Sequence, residues 1–155
     1  MEAAGGFSLQ DGGGRAAYDT VVALDGHVQR AATAAGLSRQ LVELVRIRVS
    51  QLNGCAFCLR LHCADALAGG EAAERIAVVS AWRETTYFSA AERAALALAE
   101  AVTRVSDGPV PHEVEQEAIR ALGADGASAT AWLAVTMNAW NRIAVTGRYP
   151  VGRES

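Results

Sequence analysis

The stretch ELVRIRVSQLNGCAFCLRLHCADAL, residues 43–67, decides how this chain folds and raises the main question about its chemistry. It contains all three cysteines of the chain, Cys55, Cys58 and Cys63, and it places His62 one helical turn after the second of them. A glutamate, Glu43, lies in the apolar run before the cysteines. The stretch could be a metal site, a redox pair, or a run of small hydrophobic residues that contains sulfur.

Two helices are predicted in and around this stretch. Ser38 is a good N-cap for a helix that runs to about Leu52, where the Asn53-Gly54 pair breaks it. The next helix begins near Cys55 and stops at Gly69-Gly70. The first of these two is apolar on nearly every side, which is typical of a helix covered by several neighbours.

Glu43 is unusual in such a helix. A buried carboxylate is costly unless it is hydrogen-bonded or paired, so we expect Glu43 to be partly buried and to have a partner. The alternative is that Glu43 pairs with Arg46 on an exposed edge of the helix.

Outside this stretch the chain is rich in alanine and almost without strand signals, so further helices are predicted. Their expected ranges are 15–35, 71–82, 89–106 with Ser89 and Glu92 as a capping box, 111–122 and 125–147. In the last of them Leu133, Met137, Trp140, Ala144 and Gly147 share one face. We therefore expect a compact all-α bundle of about six to seven helices, formed by residues 15–155 as a single domain. The Gly-rich residues 1–14 are expected to be a flexible or extended arm.

Composition narrows the class of protein. A chain of 155 residues is one domain's worth, 51% of it is apolar, and the formal net charge is −3 without a basic patch that would suggest nucleic acid. No apolar run reaches the length of a membrane span, and the N-terminus lacks the features of a secretory signal. Three closely spaced cysteines do not form a disulfide framework. We expect a cytoplasmic protein.

On a helix, positions 55, 58 and 62 fall within about one-sixth of a turn of one another, so both thiols and the imidazole share a face. Cys63 points away from this face. Zinc would need Cys55, Cys58, His62 and a fourth ligand, either Cys63 or Glu43. Structural zinc usually draws its ligands from two separated pairs, and a second pair is lacking because the remaining histidines, His27 and His112, stand alone. In the third interpretation the cysteines simply pack as small hydrophobic residues.

A redox pair fits the pattern best. A CxxC at a helix start places Cys55 near the positive end of the helix dipole, which favours a thiolate. Two thiols at this spacing can close a disulfide, with His62 as a base or hydrogen-bond partner and Glu43 to hold the imidazole. Thioredoxin-like proteins also carry a CxxC, but they place it beside strands, which this chain does not offer.

Glu43, eleven residues, Cys55, two residues, Cys58, three residues and His62 together resemble the signature of AhpD-like alkylhydroperoxidases of the carboxymuconolactone decarboxylase superfamily. Three flanking segments resemble small members of that family and extend the similarity over roughly residues 18–150. They are LVRIRVSQLNGCAFC, AWRETTYFSAAERAALALAEAVTRV and NAWNRIAVTGRYP.

The resemblance implies an all-helical fold, homo-oligomers and thiol-dependent reduction of hydroperoxides, without haem, flavin or metal. By resemblance Cys58 would attack the peroxide, Cys55 would resolve the product as a disulfide, and His62 with Glu43 would relay protons. A lipoamide-bearing or thioredoxin-like protein would then reduce the pair. The helix dipole alone favours Cys55 as the more acidic thiol, whereas the resemblance assigns the attack to Cys58.

Two other functions remain open at this point. One is decarboxylation of a muconolactone-type acid, which does not need a CxxC pair. The other is a non-enzymatic redox sensor that uses the same disulfide. A second polar feature, NAWNR from Asn138 to Arg142, indicates a pocket wall, a subunit contact or simply helix surface, and we assign it no catalytic role.

Overall fold

The computed structural model describes residues 7–152, and within that range it contains α-helices, short 3-10 turns and no β-strand. Its six α-helices are α1 (Arg15–Ala34), α2 (Arg39–Asn53), α3 (Ala56–Ala68), α4 (Ala73–Val78), α5 (Ala90–Thr103) and α6 (His112–Thr146). Three 3-10 turns cover Gly12–Gly14, Val79–Glu84 and Val105–Asp107. The predicted all-α bundle is therefore confirmed.

Helix α2 lies at the centre of the bundle and packs against α3, α5 and α6. Eight consecutive residues, from Glu43 to Ser50, are buried, which confirms that this helix is covered on several sides. Two hydrophobic clusters meet on it. Val45 and Val49 belong to the cluster that also contains both CxxC cysteines, whereas Leu44 and Ile47 belong to a second cluster with Trp82.

Local signals set the ends of α2 and the start of α5 as the sequence predicts. The Ser38 hydroxyl accepts a hydrogen bond from the Leu41 N–H at 3.1 Å, and Gly54 ends α2 in the left-handed conformation with a φ of 65°. Ser89 and Glu92 form the predicted capping box at the start of α5. At Gly54, glycine has no Cβ to oppose the left-handed conformation, so the chain can turn sharply between Asn53 and Cys55.

The region predicted as one helix over residues 71–82 is different in the structure. Helix α4 begins only at Ala73, because the buried carboxylate of Glu71 accepts a hydrogen bond from the Ala72 N–H and pairs with Arg75. After Val78 the chain tightens into a 3-10 turn that buries Trp82. Helix α5 likewise ends at Thr103, three residues earlier than expected, and a 3-10 turn follows it.

Helix α6 is interrupted where the sequence predicts the boundary between two helices. Gly123 has φ 75° and ψ 165°, which is not a helical conformation, so the chain bends between 112–122 and 124–146. On the second part, Leu133, Met137 and Ala144 are buried as the predicted seam requires, and Trp140 is half-buried.

The arm expected over residues 1–14 falls partly outside the described residues, which begin at Phe7. Within the described part, Gly12–Gly14 form a 3-10 turn that continues into α1, and the Gln10 carboxamide oxygen accepts a hydrogen bond from the Tyr149 hydroxyl at 2.7 Å. The N-terminal and C-terminal segments are thus in contact. Within residues 7–152, no helix is both long enough and apolar enough to cross a membrane.

Candidate functional site

The two cysteines of the CxxC pair are joined in a disulfide at the start of α3. Their Cα atoms lie 5.4 Å apart, and both residues are buried. Cys55 is the N-cap of α3 rather than its first residue, and its sulfur accepts a hydrogen bond from the Cys58 N–H at 3.2 Å. The sulfur of Cys55 therefore lies at the positive end of the helix dipole.

His62 lies one turn after Cys58 and is held by a buried carboxylate from α2. Its Nδ1 is 2.9 Å from Glu43 Oε2, while Glu43 Oε1 accepts a hydrogen bond from Arg46 Nη1 at 2.9 Å. An ionised carboxylate only accepts hydrogen bonds, so this contact places the imidazole proton on Nδ1. Nε2 is then the nitrogen that can accept a proton.

Glu43 remains ionised despite its burial. Burial disfavours the charged carboxylate, but the hydrogen bond from His62 and the charge of Arg46 outweigh it, and the pKa of Glu43 lies below its usual value. Arg46 is in turn 3.4 Å from Asp25 on α1. The site thus has a fixed negative charge behind its histidine.

Cys58 and His62 face a cleft of about 380 Å³ between α1, α3 and α6. Aromatic and apolar side chains form one part of its wall, namely Tyr18, Phe57, Leu61, Met137, Trp140 and Tyr149. The polar side chains of Asp25, Gln29, Arg46 and Asp65 line the rest beside His62. Cys55 does not line this cleft; it lies beside a smaller groove with Gly54 and Val145. A molecule in the cleft would therefore meet Cys58 before Cys55.

Two pairs of aromatic rings build the cleft wall. Tyr18 and Trp140 meet edge to face with ring centroids 5.4 Å apart, and Phe57 and Tyr149 meet in the same way at 5.0 Å. Such contacts fix ring orientation and add to the stability that burial provides. Because the four rings come from α1, α3, α6 and the segment after α6, the cleft depends on residues distant in sequence.

The structure brings together the four residues predicted from the motif. Cys58 and His62 lie at the cleft, Glu43 is behind the imidazole and Cys55 is behind Cys58. Glu43 is buried with a partner, as expected, and the alternative partner Arg46 also contacts it, although at a buried rather than exposed position. The catalytic roles of the four residues remain predictions.

Cys63, the third cysteine, is free and packs against the hydrophobic cluster that contains Leu44 and Trp82. Burial raises the pKa of its thiol, which disfavours the reactive thiolate. The structure therefore favours a packed, unreactive thiol at Cys63.

Sequence reasoning did not find the residues that complete the cleft. Tyr18, Asp25 and Trp140 line it, but only Trp140 lies in a segment that the sequence singled out. The position of Arg46, three residues after Glu43 on the same helix, was the available signal for the buried ion pair.

One group of side chains in the described range has metal-ligating geometry. Ligand atoms of Glu43, His62 and Asp65 lie within 4.8 Å of one another. Both oxygens of Glu43 are already hydrogen-bonded, one of them to the cationic Arg46, so a metal would have to displace these partners. The zinc set considered from sequence used Cys55 and Cys58, whose sulfurs are here bonded to each other.

Comparison with known proteins gives the family. Residues 16–101 match the sequence model of the carboxymuconolactone decarboxylase family. The chain belongs to this family. Within residues 7–152, the match spans α1 to most of α5 and so includes the cysteines, the histidine and the glutamate of the site.

Two relatives of this family member are informative. The uncharacterized protein YdfG of Bacillus subtilis (strain 168) is 37% identical over 109 residues, which cover 70% of this chain and 74% of YdfG. The crystal structure of ATU0492 from Agrobacterium tumefaciens, a protein of unknown function and a candidate AhpD antioxidant defence protein, superimposes with a TM-score of 0.81. It is 30% identical, and the alignment covers 89% of this chain and 92% of that one. The predicted AhpD-like fold within this superfamily is confirmed.

Proposed function

We propose that this protein is a thiol-dependent peroxidase that reduces alkyl hydroperoxides through a Cys55–Cys58 disulfide cycle. The observation that carries the proposal is the position of Cys58. It lies in the wall of a cleft that is rich in aromatic side chains, one turn before a histidine whose Nδ1 is held by a buried, ionised glutamate. This combination supplies a thiol, a base and enough space for an organic substrate.

The cycle begins with proton removal from the Cys58 thiol, for which His62 is the base and Glu43 stabilises the resulting imidazolium. The Cys58 thiolate attacks the terminal oxygen of the hydroperoxide, the O–O bond breaks, and the alkoxide leaves as an alcohol with a proton from the relay. Cys58 is now a sulfenic acid. The Cys55 thiol then loses its proton and its sulfur attacks the sulfur of Cys58. The S–O bond of the sulfenic acid breaks, the departing hydroxide takes up that proton and leaves as water, and the Cys55–Cys58 disulfide forms.

An external dithiol must then return two electrons and two protons to the pair. The aromatic and apolar part of the cleft wall favours organic peroxides over hydrogen peroxide as substrates. A lipoamide-bearing or thioredoxin-like protein is the class of reductant that we infer from the family resemblance. The cycle uses no metal or organic cofactor.

We also infer a homo-oligomer. Helix α6 carries Trp132, Val135 and Val145 with 43–51% of their surface exposed, which is a large apolar exposure for one helix. The inference is independent of the peroxidase chemistry and is tested separately below.

The proposal is tested by a peroxidase assay with an alkyl hydroperoxide and several dithiol donors in parallel. We expect turnover in the wild type and in Cys63→Ser, since Cys63 packs away from the cleft, and loss of turnover in Cys55→Ser and Cys58→Ser. A disulfide that cycles with dithiols while no peroxide is consumed with any donor would contradict the proposal and favour a redox sensor.

A further inference from the structure

A chain of amide and hydroxyl groups connects α6 to the last turn of α2. The Asn53 Nδ2 donates to Asn138 Oδ1 at 2.9 Å and to Asn141 Oδ1 at 2.8 Å. The Asn141 Nδ2 donates to the Ser50 hydroxyl at 3.0 Å. Asn141 and Ser50 are almost completely buried, with 1% and 0% of their surface exposed.

These polar groups lie in an apolar setting. On α6 the neighbours of Asn141 on the buried face are Met137 and Ala144, and on α2 Ser50 follows Val49 in the hydrophobic cluster. A buried amide is tolerated only when its hydrogen bonds are made, and an apolar residue would fill the same space at no such cost. We therefore expect the network to determine how α2 and α6 are positioned, rather than to add to the net stability of the fold.

The position it fixes is that of Cys55. The Ser50 carbonyl accepts a hydrogen bond from the Cys55 N–H at 3.0 Å. Asn53 is the last residue of α2, and only Gly54, with its positive φ, separates it from Cys55. The Ser50 contact is made by its main chain, so the Ser50 hydroxyl reaches the turn only by orienting Asn141, whose Oδ1 accepts the hydrogen bond from Asn53 beside Gly54.

The conformation of Cys55 controls what its sulfur contacts. With φ −86° and ψ 94° it is the N-cap of α3, and its sulfur accepts the Cys58 N–H. When the disulfide is reduced, a Cys55 thiolate held in this conformation keeps that N–H bond and the favourable field of the helix. Stabilising a thiolate stabilises the reduced form and makes the disulfide easier to reduce.

We propose that Ser50, Asn53 and Asn141 are positioning residues that set the reduction equilibrium of the Cys55–Cys58 pair. They act through the turn at Gly54 and do not line the cleft. The inference rests on the proposed function only in treating the pair as a working dithiol, and it does not require that a peroxide is the oxidant.

The test is equilibration of the wild type, Ser50→Ala, Asn53→Ala and Asn141→Ala with mixtures of reduced and oxidised dithiothreitol. Two electrons and two protons pass from dithiothreitol to the pair, and alkylation followed by mass spectrometry gives the fraction of reduced protein. Each variant should shift the equilibrium constant toward the protein disulfide by about threefold, less than the full effect of a lost hydrogen bond, because only the part that differs between the reduced and oxidised protein counts. The pH titration of the more acidic thiol should move upward in parallel.

Thr130→Ala is the matched control. Thr130 is a buried polar residue on α6 whose hydroxyl donates to the Gly126 carbonyl of its own helix at 2.8 Å. Its loss should lower the unfolding temperature and leave the equilibrium constant unchanged.

The proposal is overturned if the network variants lose stability as Thr130→Ala does but keep the wild-type equilibrium constant and thiol titration. Asn53→Ala decides the question even if Asn141→Ala does not fold, because Asn53 is only half-buried and is the network residue next to Gly54. No peroxide is used, so a protein without peroxidase activity would still give a clear result.

Discussion

At the scale of single residues, the site depends on one carboxylate that has two partners. Glu43 orients His62 with one oxygen and pairs with Arg46 through the other. The hydrogen bond from His62 and the charge of Arg46 together keep the carboxylate ionised in a buried place. The sequence could predict Glu43 and His62 because their spacing from the cysteines resembles a known motif.

Glu43→Gln should lower peroxidase turnover by about 10²–10⁴-fold, the usual effect of removing one group from a proton relay. The amide has the same shape as the carboxylate but leaves the buried Arg46 with Asp25 as its remaining counter-charge, so we expect a native circular dichroism spectrum with a lower unfolding temperature. Turnover is therefore compared well below that temperature. The matched control is Glu115→Gln, because Glu115 also lies beside a histidine nitrogen, that of His112 at 3.5 Å, but at an exposed site. Equal turnover of the wild type and Glu43→Gln would make Glu43 a purely structural residue.

The order of attack is a second prediction at this scale. Because Cys58 lines the cleft and Cys55 does not, Cys55→Ser should react once with a peroxide and keep a sulfenic acid on Cys58. Cys58→Ser should react far more slowly, although the helix dipole still favours a thiolate at Cys55. Mass spectrometry after one equivalent of peroxide and a sulfenic-acid trap locates the label.

Label on Cys55 of Cys58→Ser at the wild-type rate would reverse the order. Label on Cys63 in either variant would show that the third thiol takes part, against its packed position and raised pKa.

At the scale of elements, the helices that the sequence predicted well are those with strong local signals. The Ser38 cap, the Gly54 turn, the Ser89–Glu92 capping box and the break at Gly123 each act within a few residues. The region around α4 was predicted less well, because its shape depends on contacts across the fold. Glu71 pairs with Arg75, which also pairs with Glu92 on α5.

The same reason explains what the sequence could not show of the site. The cleft needs Tyr18 from α1 and Trp140 from α6, and their meeting follows from how the helices pack rather than from any spacing near the cysteines. Likewise, nothing local in the NAWNR segment shows that Asn138 and Asn141 bond to Asn53 on α2.

Glu100 on α5 is a second buried carboxylate, and its contacts are expected to stabilise the fold. It is buried and accepts hydrogen bonds from Arg48 on α2, Arg83 and the Trp82 indole, so it joins three elements. Glu100→Gln should destabilise the fold by about 3 kcal/mol at neutral pH, because the buried Arg48 loses its counter-charge. Urea unfolding measures this loss. Glu117→Gln is the control, since its ion pair with Arg120 is exposed and should contribute almost nothing.

This prediction also has a defined pH dependence. Burial raises the pKa of Glu100, but hydrogen bonds from Trp82, Arg83 and Arg48 outweigh it and hold the pKa below the ordinary value of 4.5. The stability that its charge provides is therefore present above pH 4.5 and is lost as the pH falls through the lower, folded value. The difference between the wild type and Glu100→Gln should shrink in that acidic range. A difference that stays constant with pH would show that charge is not the cause.

At the scale of the whole molecule, the redox pair is part of the main hydrophobic cluster. Cys55 and Cys58 pack with Val28 of α1, Val49 of α2 and Ala99 of α5, among others. The proposed opening and closing of the disulfide would therefore take place within this cluster, to which α6 contributes Leu133, Met137 and Ala144.

The exposed face of α6 that carries Trp132 and Val135 leads to the last prediction, a homo-oligomer of at least two copies. Trp132 and Val135 are three residues apart on α6 and lie about half exposed. Ala31 and Ala34 of α1, and Ala35 directly after it, line a groove together with Trp132. A tryptophan with 49% of its surface in water on a helix with small neighbours leaves flat apolar area that a second copy can cover. Light scattering at micromolar concentration should give a mass of at least twice 16.2 kDa.

Trp132→Glu should lower that mass, because a buried charge without a partner opposes association. Tyr87→Glu, which adds the same charge at an exposed aromatic residue before α5, should leave the mass unchanged. A monomeric mass for the wild type would refute the prediction, whereas an unchanged oligomer in Trp132→Glu would place the interface away from this part of α6.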